Sequence, residues 1–371
     1  MRYIWQHPEW PNFQYEITQD VQEFLYQYAL ETGTLSDQFD KSSHRDALIE
    51  FMIIEAINTS KIEGENLDLQ DVRSSLYKQL GFSDVIQQTK DPRAIGIAQL
   101  MISVRDTFND PLTEGHLFEW HKMILANNLK TGRLEIGKWR TSIEPMQVVS
   151  GPIGKQRIHF EAPPSKIVPR EMKRFIEWFN ESHPITGTLK IAGPIRAAIA
   201  HLYFESIHPF EDGNGRIGRA LSEIALSQEL QRPVALSLSR VIYEKRQMYY
   251  QRLSEASCEE MTITPWINYF VKVIYDAQMD AREQILFVLR KARFWERFGP
   301  QINDRQTRVV QRMFQAGIDG FEGGINAQKY MKIADCSKAS ATRDLTDLLQ
   351  KGCLVPLPGS GRSTRYELAL I

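Results

Sequence analysis

The chain has 371 residues, 42% hydrophobic and 25% charged, with 45 Lys and Arg against 46 Asp and Glu and a formal charge of −1. That composition excludes a disordered or collagen-like chain, and the near-neutral balance excludes the broad basic surface of an unaided nucleic-acid binder. At roughly 150 residues per domain, the length predicts two or three domains.

The opening MRYIWQHPEWP lacks an apolar signal core. No apolar run approaches the roughly 18 residues that a membrane span needs, so a cytoplasmic protein with no membrane partner is expected. The first forty residues are rich in aromatics, among them Trp5, Trp10, Phe13, Tyr15, Phe24, Tyr26 and Tyr28, and read as packing of a small N-terminal subdomain. From His44 to Ser60 apolar residues lie on several faces, which predicts a buried helix. It runs on into TSKIEGE and should stop at Gly64. Helices are also predicted over 68–80, 92–108 and 112–127, the last with Leu117, Trp120, His121 and Ile124 at helical spacing. The segment 146–164, MQVVSGPIGKQRIHFEAPP, reads as a β-hairpin around Gly-Pro-Ile-Gly. Helices resume over 169–180 and 194–206, with Gly193 as N-cap and Pro194 at the first helical position.

The stretch 208–219, HPFEDGNGRIGR, follows an apolar helix, turns through Gly-Asn-Gly and opens another helix over 217–230. Glycines entering a helix leave backbone N–H groups pointing outward, an anion cradle. Arg216 and Arg219 lie three apart on one face. Cations at a helix N-terminus oppose its dipole by about 0.3–1 kcal/mol each, so a bound anion explains them better than helix stability does. Asp212 beside such a cradle is a natural Mg²⁺ ligand, since that ion takes one or two carboxylates plus phosphate oxygens. His208 can act as a general base near neutral pH. His116, His121 and His201 have no acidic partner at metal spacing and read as packing or surface residues. Cys258, Cys336 and Cys353 show no CxxC spacing and read as buried small hydrophobes in a reducing compartment.

At every specified position this stretch matches HxFx(D/E)GNGRxxR, the motif of the Fic family, which the chain resembles over roughly residues 92–285. FESI, LTEGHLFEWHKMILAN and GKWRTS add to the likeness. The resemblance implies AMP transfer from ATP to a Tyr, Ser or Thr hydroxyl of a protein. It implies that His208 takes the hydroxyl proton and Asp212 holds Mg²⁺. Gly213, Asn214 and Gly215 then bind phosphates, Arg216 neutralises the β-phosphate region, and Arg219 clasps the γ-phosphate. It implies a flap at 146–164 that docks an unidentified protein target by strand addition, with Ile158, His159 and Phe160 near the nucleotide. Tyr249 and Tyr250 resemble the family's adenine-side pair, although Ser257 stands where Asn often follows; core packing is the other reading of both rings. Thr59-Ser60-Lys61-Ile62-Glu63-Gly64 resembles the family's inhibitory-helix pattern (S/T)xxxE(G/N). Glu63 in the last turn of a helix opposes the dipole, and its implied partner is Arg219, a bidentate cation.

A long helix is predicted from Thr264 to about Trp295, broken at Phe298-Gly299-Pro300. Beyond it the order is helix (303–316), strand (324–326), two helices (327–335 and 338–351) and strands at 353–356 and 363–368, the pattern of a winged helix-turn-helix. Residues 304–371 hold ten Lys and Arg against seven Asp and Glu. Lys338 and Arg343 fall on the expected recognition helix, and Arg362 and Arg365 on the wing. A DNA-binding regulator with the Fic core as sensor is therefore the rival function. Transfer of another nucleotide, and removal of AMP with Glu63 positioning water, also stay open, as do self-modification and a homodimer. The expected chain is mainly α. Its parts are a helical region (1–110) carrying the inhibitory motif 59–64, a Fic-type helical core (111–297) with a β-hairpin flap, and a winged-helix domain (301–371).

Overall fold

The computed structural model describes residues 3–37, 41–82, 89–125, 134–150, 157–258, 260–318, 320–358 and 364–370, without the side chains of 33–46, 149, 150, 157 and 159. Among these residues the chain is mainly helical, with two short antiparallel hairpins, and it divides into two compact units, Met1–Met279 and Asp280–Ile371. No helix of the described residues is long and apolar enough to cross a membrane.

The first unit opens with α1 (Gln19–Asp37), which the aromatic-rich reading of the N-terminus did not assign, and α2 (Lys41–Ile62). Next come α3 (Leu69–Gln79) and α4 (Pro92–Asp106). Each starts on an aspartate whose carboxylate accepts the free N–H groups of the first turn: Asp68 from Gln70 and Asp71, Asp91 from Arg93. Then follow α5 (Glu114–Leu125), the hairpin β1 (Gln147–Ser150) and β2 (Arg157–Glu161), and α6 (Val168–Glu181). Helices α7 (Gly193–Ile207), α8 (Asn214–Leu230), α9 (Leu238–Glu244) and α10 (Arg246–Ala256) precede α11 (Thr264–Phe298). Gly193 lies inside α7 rather than capping it; its N–H donates to Glu229 Oε1 at 2.7 Å.

Every residue of α7 is buried. Its sequence, GPIRAAIAHLYFESI, alternates small and large apolar residues on all faces, so neighbours can close around it. Its polar members are satisfied inside: Arg196 donates to Ser182 Oγ and the Phe179 carbonyl, and His201 meets the Tyr249 hydroxyl at 2.8 Å. Helix α8 packs along α7 and holds the ion pair of Glu223 with Arg105 of α4, 2.8 Å apart and buried. Helix α2 is fixed at its middle. The buried Glu55 carboxylate accepts from Ser237 Oγ at 2.6 Å, the Ser239 N–H at 3.0 Å and the Ser239 hydroxyl. That anchor fixes the helix that ends immediately before Glu63.

In the second unit α12 (Asp304–Phe314), α13 (Ala327–Ala334) and α14 (Lys338–Gln350) precede the hairpin β3 (Leu354–Pro356) and β4 (Tyr366–Leu368). The expected strand at 324–326 is a single antiparallel bridge, Ile325 to Tyr366. Arg362 lies outside the described residues. Asn303, Asn326 and Ser337 cap the three helices. The core combines Val309, Val310, Phe314, Tyr330, Leu345, Leu348 and Leu354 with Phe294 and Phe298 of α11. Those two rings explain why the unit begins at Asp280, inside α11, and not at the Gly299-Pro300 break. Leu348 is fully buried, so Leu348→Ala should lower unfolding free energy by about 2–5 kcal/mol in urea denaturation. A loss below about 1 kcal/mol would contradict this core.

Candidate active site

The motif connects the last turn of α7 to the first turn of α8. His208 ends α7 in the left-handed region, φ 49°, ψ 61°. That conformation costs a residue with a Cβ roughly 1–2 kcal/mol. Arg140 holds it there: its Nε donates to the His208 carbonyl at 2.7 Å and its N–H to the Pro209 carbonyl at 3.0 Å. Phe210 is fully buried, stacked on His121 with ring centroids 4.1 Å apart and tilted against Trp139. His121 accepts the Gly137 N–H at Nδ1, which leaves Nε2–H to donate to the Asp212 carbonyl at 3.1 Å. Burial holds the His121 ring neutral by pushing its pKa down to about 4.

The loop then closes on itself. The Asn214 side chain accepts the Phe210 N–H at 3.0 Å and donates to the Phe210 carbonyl at 2.8 Å. Gly213 takes φ +85°, and a Cβ there would lie 2.7 Å from Ile124 Cδ1. Helix α8 begins at Asn214, three residues earlier than the apolar periodicity implies, so Asn214, Gly215 and Arg216 form its first turn.

Two arginines and two glutamates meet at this turn. Arg219 is fully buried; its Nη2 donates to Glu63 Oε1 at 2.7 Å and its Nε to Thr59 Oγ1 at 2.8 Å. Burial alone would lower the Arg219 pKa, but Glu63 outweighs it and the pKa is raised. Glu65 accepts from Arg216 Nη1 at 3.1 Å, and Asp212 Oδ1 stands 3.5 Å from Arg216 Nη2. A Cβ on Gly215 would come within 2.3 Å of Glu63 Oε1. A carboxylate oxygen therefore stands directly over the backbone at the N-terminus of α8, where partial positive charge attracts anions. Arg216 Nε and Arg219 Nη1 are buried with no hydrogen-bond partner among the described residues. Such donors are costly to leave unpaired. The arrangement can hold an anion larger than one carboxylate.

The His208 Nδ1 lies 3.5 Å from Glu205 Oε2, a buried carboxylate one turn earlier on α7. Asp212 accepts the Gly213 N–H at 2.6 Å and is 46% exposed, so it borders the cradle with access to solvent. One open carboxylate fits an ion completed by phosphate oxygens and water. No group of three His, Cys, Asp or Glu side chains converges among the described residues.

The structure brings His208, Asp212, Gly213, Asn214, Gly215, Arg216, Arg219, Thr59 and Glu63 together. The tyrosine pair splits. Tyr249 is buried, its hydroxyl on His201, while Tyr250 is 44% exposed and donates to the Ile62 carbonyl at the end of α2. On the hairpin, Ile158 is exposed, but Phe160 is buried edge-on against Tyr3. The His159 side chain and the turn 151–156 lie outside the described residues. Glu65, Glu205, Arg140 and the bonding role of His121 went unseen in the sequence. Glu65 left a signal there as a second acid two residues after Glu63, while Glu205 and Arg140 lay unremarked within FESI and GKWRTS.

Comparison with known proteins agrees. Residues 111–226 match the Fic/DOC family, and residues 3–82 match a domain of unknown function (DUF4172). The chain is 27% identical to the protein adenylyltransferase fic-1 of Caenorhabditis elegans over 245 residues, 64% of this chain and 43% of that one. It thus spans under half of that curated relative. A solved Fic family protein from Desulfovibrio desulfuricans G20 superposes with a TM-score of 0.55 at 20% identity, covering 95% of this chain and 97% of that one. A Fic domain containing signaling protein from Bacteroides thetaiotaomicron does so with a TM-score of 0.53 at 16% identity, covering 74% and 97%. The chain carries a Fic/DOC domain, and its fold is that of the solved Fic proteins.

Asn214→Ala would leave both Phe210 backbone groups buried and unpaired. It should cost about 1–3 kcal/mol of stability by chemical denaturation. An unchanged midpoint would show that the loop does not depend on this side chain.

Proposed function

We propose that this chain is a protein adenylyltransferase, transferring AMP from ATP to a Tyr, Ser or Thr hydroxyl of a protein, and that Glu63 holds it inactive. The observation that carries the reading is the Glu63 carboxylate over Gly215, paired with Arg219 beside two unpartnered arginine nitrogens. A triphosphate would supply the oxygens these donors lack. Arg216 and the N–H groups at the start of α8 would bind the phosphates bridging to the leaving group, and Arg219 the terminal one. With Nδ1 facing the Glu205 carboxylate at 3.5 Å, the other nitrogen of His208 takes the proton of the attacking hydroxyl. The hydroxyl oxygen bonds the α-phosphorus, the α–β bridging bond breaks, and pyrophosphate leaves with that electron pair. Asp212 would hold Mg²⁺, which when bound neutralises phosphate charge. Most of the acceleration in such transfers comes from positioning and charge stabilisation. The exposed Ile158 on β2 supports docking of an extended target segment at the hairpin edge.

Glu65 makes the brake a two-point device in this reading. Glu63 competes for Arg219 and Glu65 for Arg216. Incubation with labelled ATP and Mg²⁺ tests it. Glu63→Gly should raise incorporation into protein at least tenfold, and Glu65→Gln should raise it about fivefold, the worth of a roughly 1 kcal/mol pair. Adding His208→Ala to Glu63→Gly should abolish transfer. Transfer that survives the loss of His208 would overturn the assignment, and an unchanged rate in Glu63→Gly would overturn the brake.

A second reading rests on α14. Its exposed face carries Ala339, Thr342, Arg343, Thr346 and Gln350, residue types that contact base edges. Its two aspartates are engaged elsewhere, Asp344 by Arg305 and Tyr330, Asp347 by Gln306 and Lys351. A helix so presented, followed by a hairpin, suits a winged helix on DNA. Fluorescence anisotropy on a random duplex pool should then detect salt-dependent binding that Arg343→Ala weakens about tenfold. Equal affinity in wild type and Arg343→Ala would remove this reading.

A further inference from the structure

We infer that Arg140 is a positioning residue that locks the hairpin to His208, so that the strand receiving the target and the proton acceptor stand at a fixed separation. The inference rests on the adenylyl-transfer reading and deepens it.

Arg140 is 2% exposed and follows the buried Trp139 in the segment between α5 and β1. Its guanidinium spends its donors on two separate parts of the chain. Toward the motif, Nε donates to the His208 carbonyl at 2.7 Å and Nη2 reaches the Ile207 carbonyl at 3.4 Å. Toward the hairpin, Nη2 donates to the Pro163 carbonyl at 2.5 Å and Nη1 to Ser165 Oγ at 3.0 Å. Pro163 follows the end of β2 at Glu161 by two residues, and Ser165 in turn donates to the Ser142 carbonyl before β1. The foot after β2 and the carbonyls at the end of α7 therefore meet on one planar fork, which the foot before β1 joins through Ser165. The Arg140 backbone N–H adds the Pro209 carbonyl.

These hydrogen-bond partners are neutral groups, and Glu211 acts on the guanidinium through its charge without a hydrogen bond to it. Burial even lowers the Arg140 pKa, to about 10, which leaves it charged at neutral pH. What the fork supplies is geometry. Guanidinium presents five N–H donors in one rigid plane, which the single ammonium of lysine cannot reproduce. The free carbonyls at the end of α7 need donors in any case, but a water or a lysine could serve them without touching the hairpin. The connection to Pro163 and Ser165 is what makes Arg140 more than a cap.

Its consequence follows from the reaction. The acceptor hydroxyl arrives on a segment held at the hairpin edge, while its proton must pass to the imidazole of His208. A misplacement of about 1 Å between such groups can cost about 100-fold in rate. Nucleotide binding depends on Gly215, Arg216 and Arg219 of α8, to none of which the Arg140 fork is bonded, so affinity for ATP should not follow the rate.

The test uses the full chain with Glu63→Gly as the active background, and adds Arg140→Lys or the milder Ser165→Ala. Three quantities are read: AMP incorporation from ATP, ATP affinity by calorimetry, and amide hydrogen exchange. Arg140→Lys should transfer about 100-fold more slowly and Ser165→Ala about fivefold more slowly, with ATP affinity within twofold of the background. Exchange should quicken together in 157–161 and 206–210. Transfer at the background rate in folded Arg140→Lys would overturn the inference. So would a loss of ATP affinity parallel to the loss of rate, which marks a general structural role. If Glu63→Gly itself transfers nothing, the adenylyl-transfer reading fails, and exchange still decides the lock: faster exchange confined to one of the two segments overturns it.

Discussion

The site depends on a mismatch between a helix and its charges. Helix α8 carries Arg216 in its first turn, where its dipole repels cations, and Arg219 in the next turn beside it. Both are buried, so water cannot relieve the mismatch. Glu63 and Glu65 relieve it instead, reaching in from the end of α2. On the proposed reading, the Glu63–Arg219 contact and the anion cradle are one electrostatic problem with two solutions. Either the chain's own carboxylates neutralise the arginines, or a polyanion does.

The rest of the first unit keeps that choice sharp. Glu55, locked to Ser237 and Ser239, holds α2 eight residues before Glu63, and Arg105 with Glu223 holds α8 one turn beyond Arg219. Tyr250 grips the last carbonyl region of α2. The glutamates therefore arrive from an anchored helix end. On the other side, Phe210, Asn214, His121 and Arg140 give the motif loop a single shape. The frame around the charges is held by burial and by side-chain bonds to its backbone.

Much of this was legible in the sequence because local rules decide it. The Gly-Asn-Gly turn and the arginine spacing of three on one helical face were read directly, whereas Asn214, expected on the phosphates, proves to close the loop on Phe210. The Glu63–Arg219 pair was legible only through the resemblance, since nothing local joins residues 156 positions apart. What escaped depends on tertiary packing. Arg140 sits in a stretch with no periodicity, and its partners are backbone groups that leave no trace in residue type. His121 looked like a packing residue; it is one, but its two nitrogens also fix the Asp212 carbonyl. Tyr249 and Tyr250 are neighbours in sequence that face different surroundings, one core and one site. Helix α1 was hidden because its aromatics suggested packing without showing a helical stripe.

The central claim is that Glu63 stands where the terminal phosphate of the nucleotide belongs. Calorimetric titration of wild type and Glu63→Gly with ATP, ADP and AMP tests it without recourse to a target protein. The account predicts that Glu63→Gly binds ATP at least tenfold more tightly than wild type does, with AMP affinity unchanged. Equal ATP affinity in the two proteins, or a gain shared equally by AMP, would contradict it.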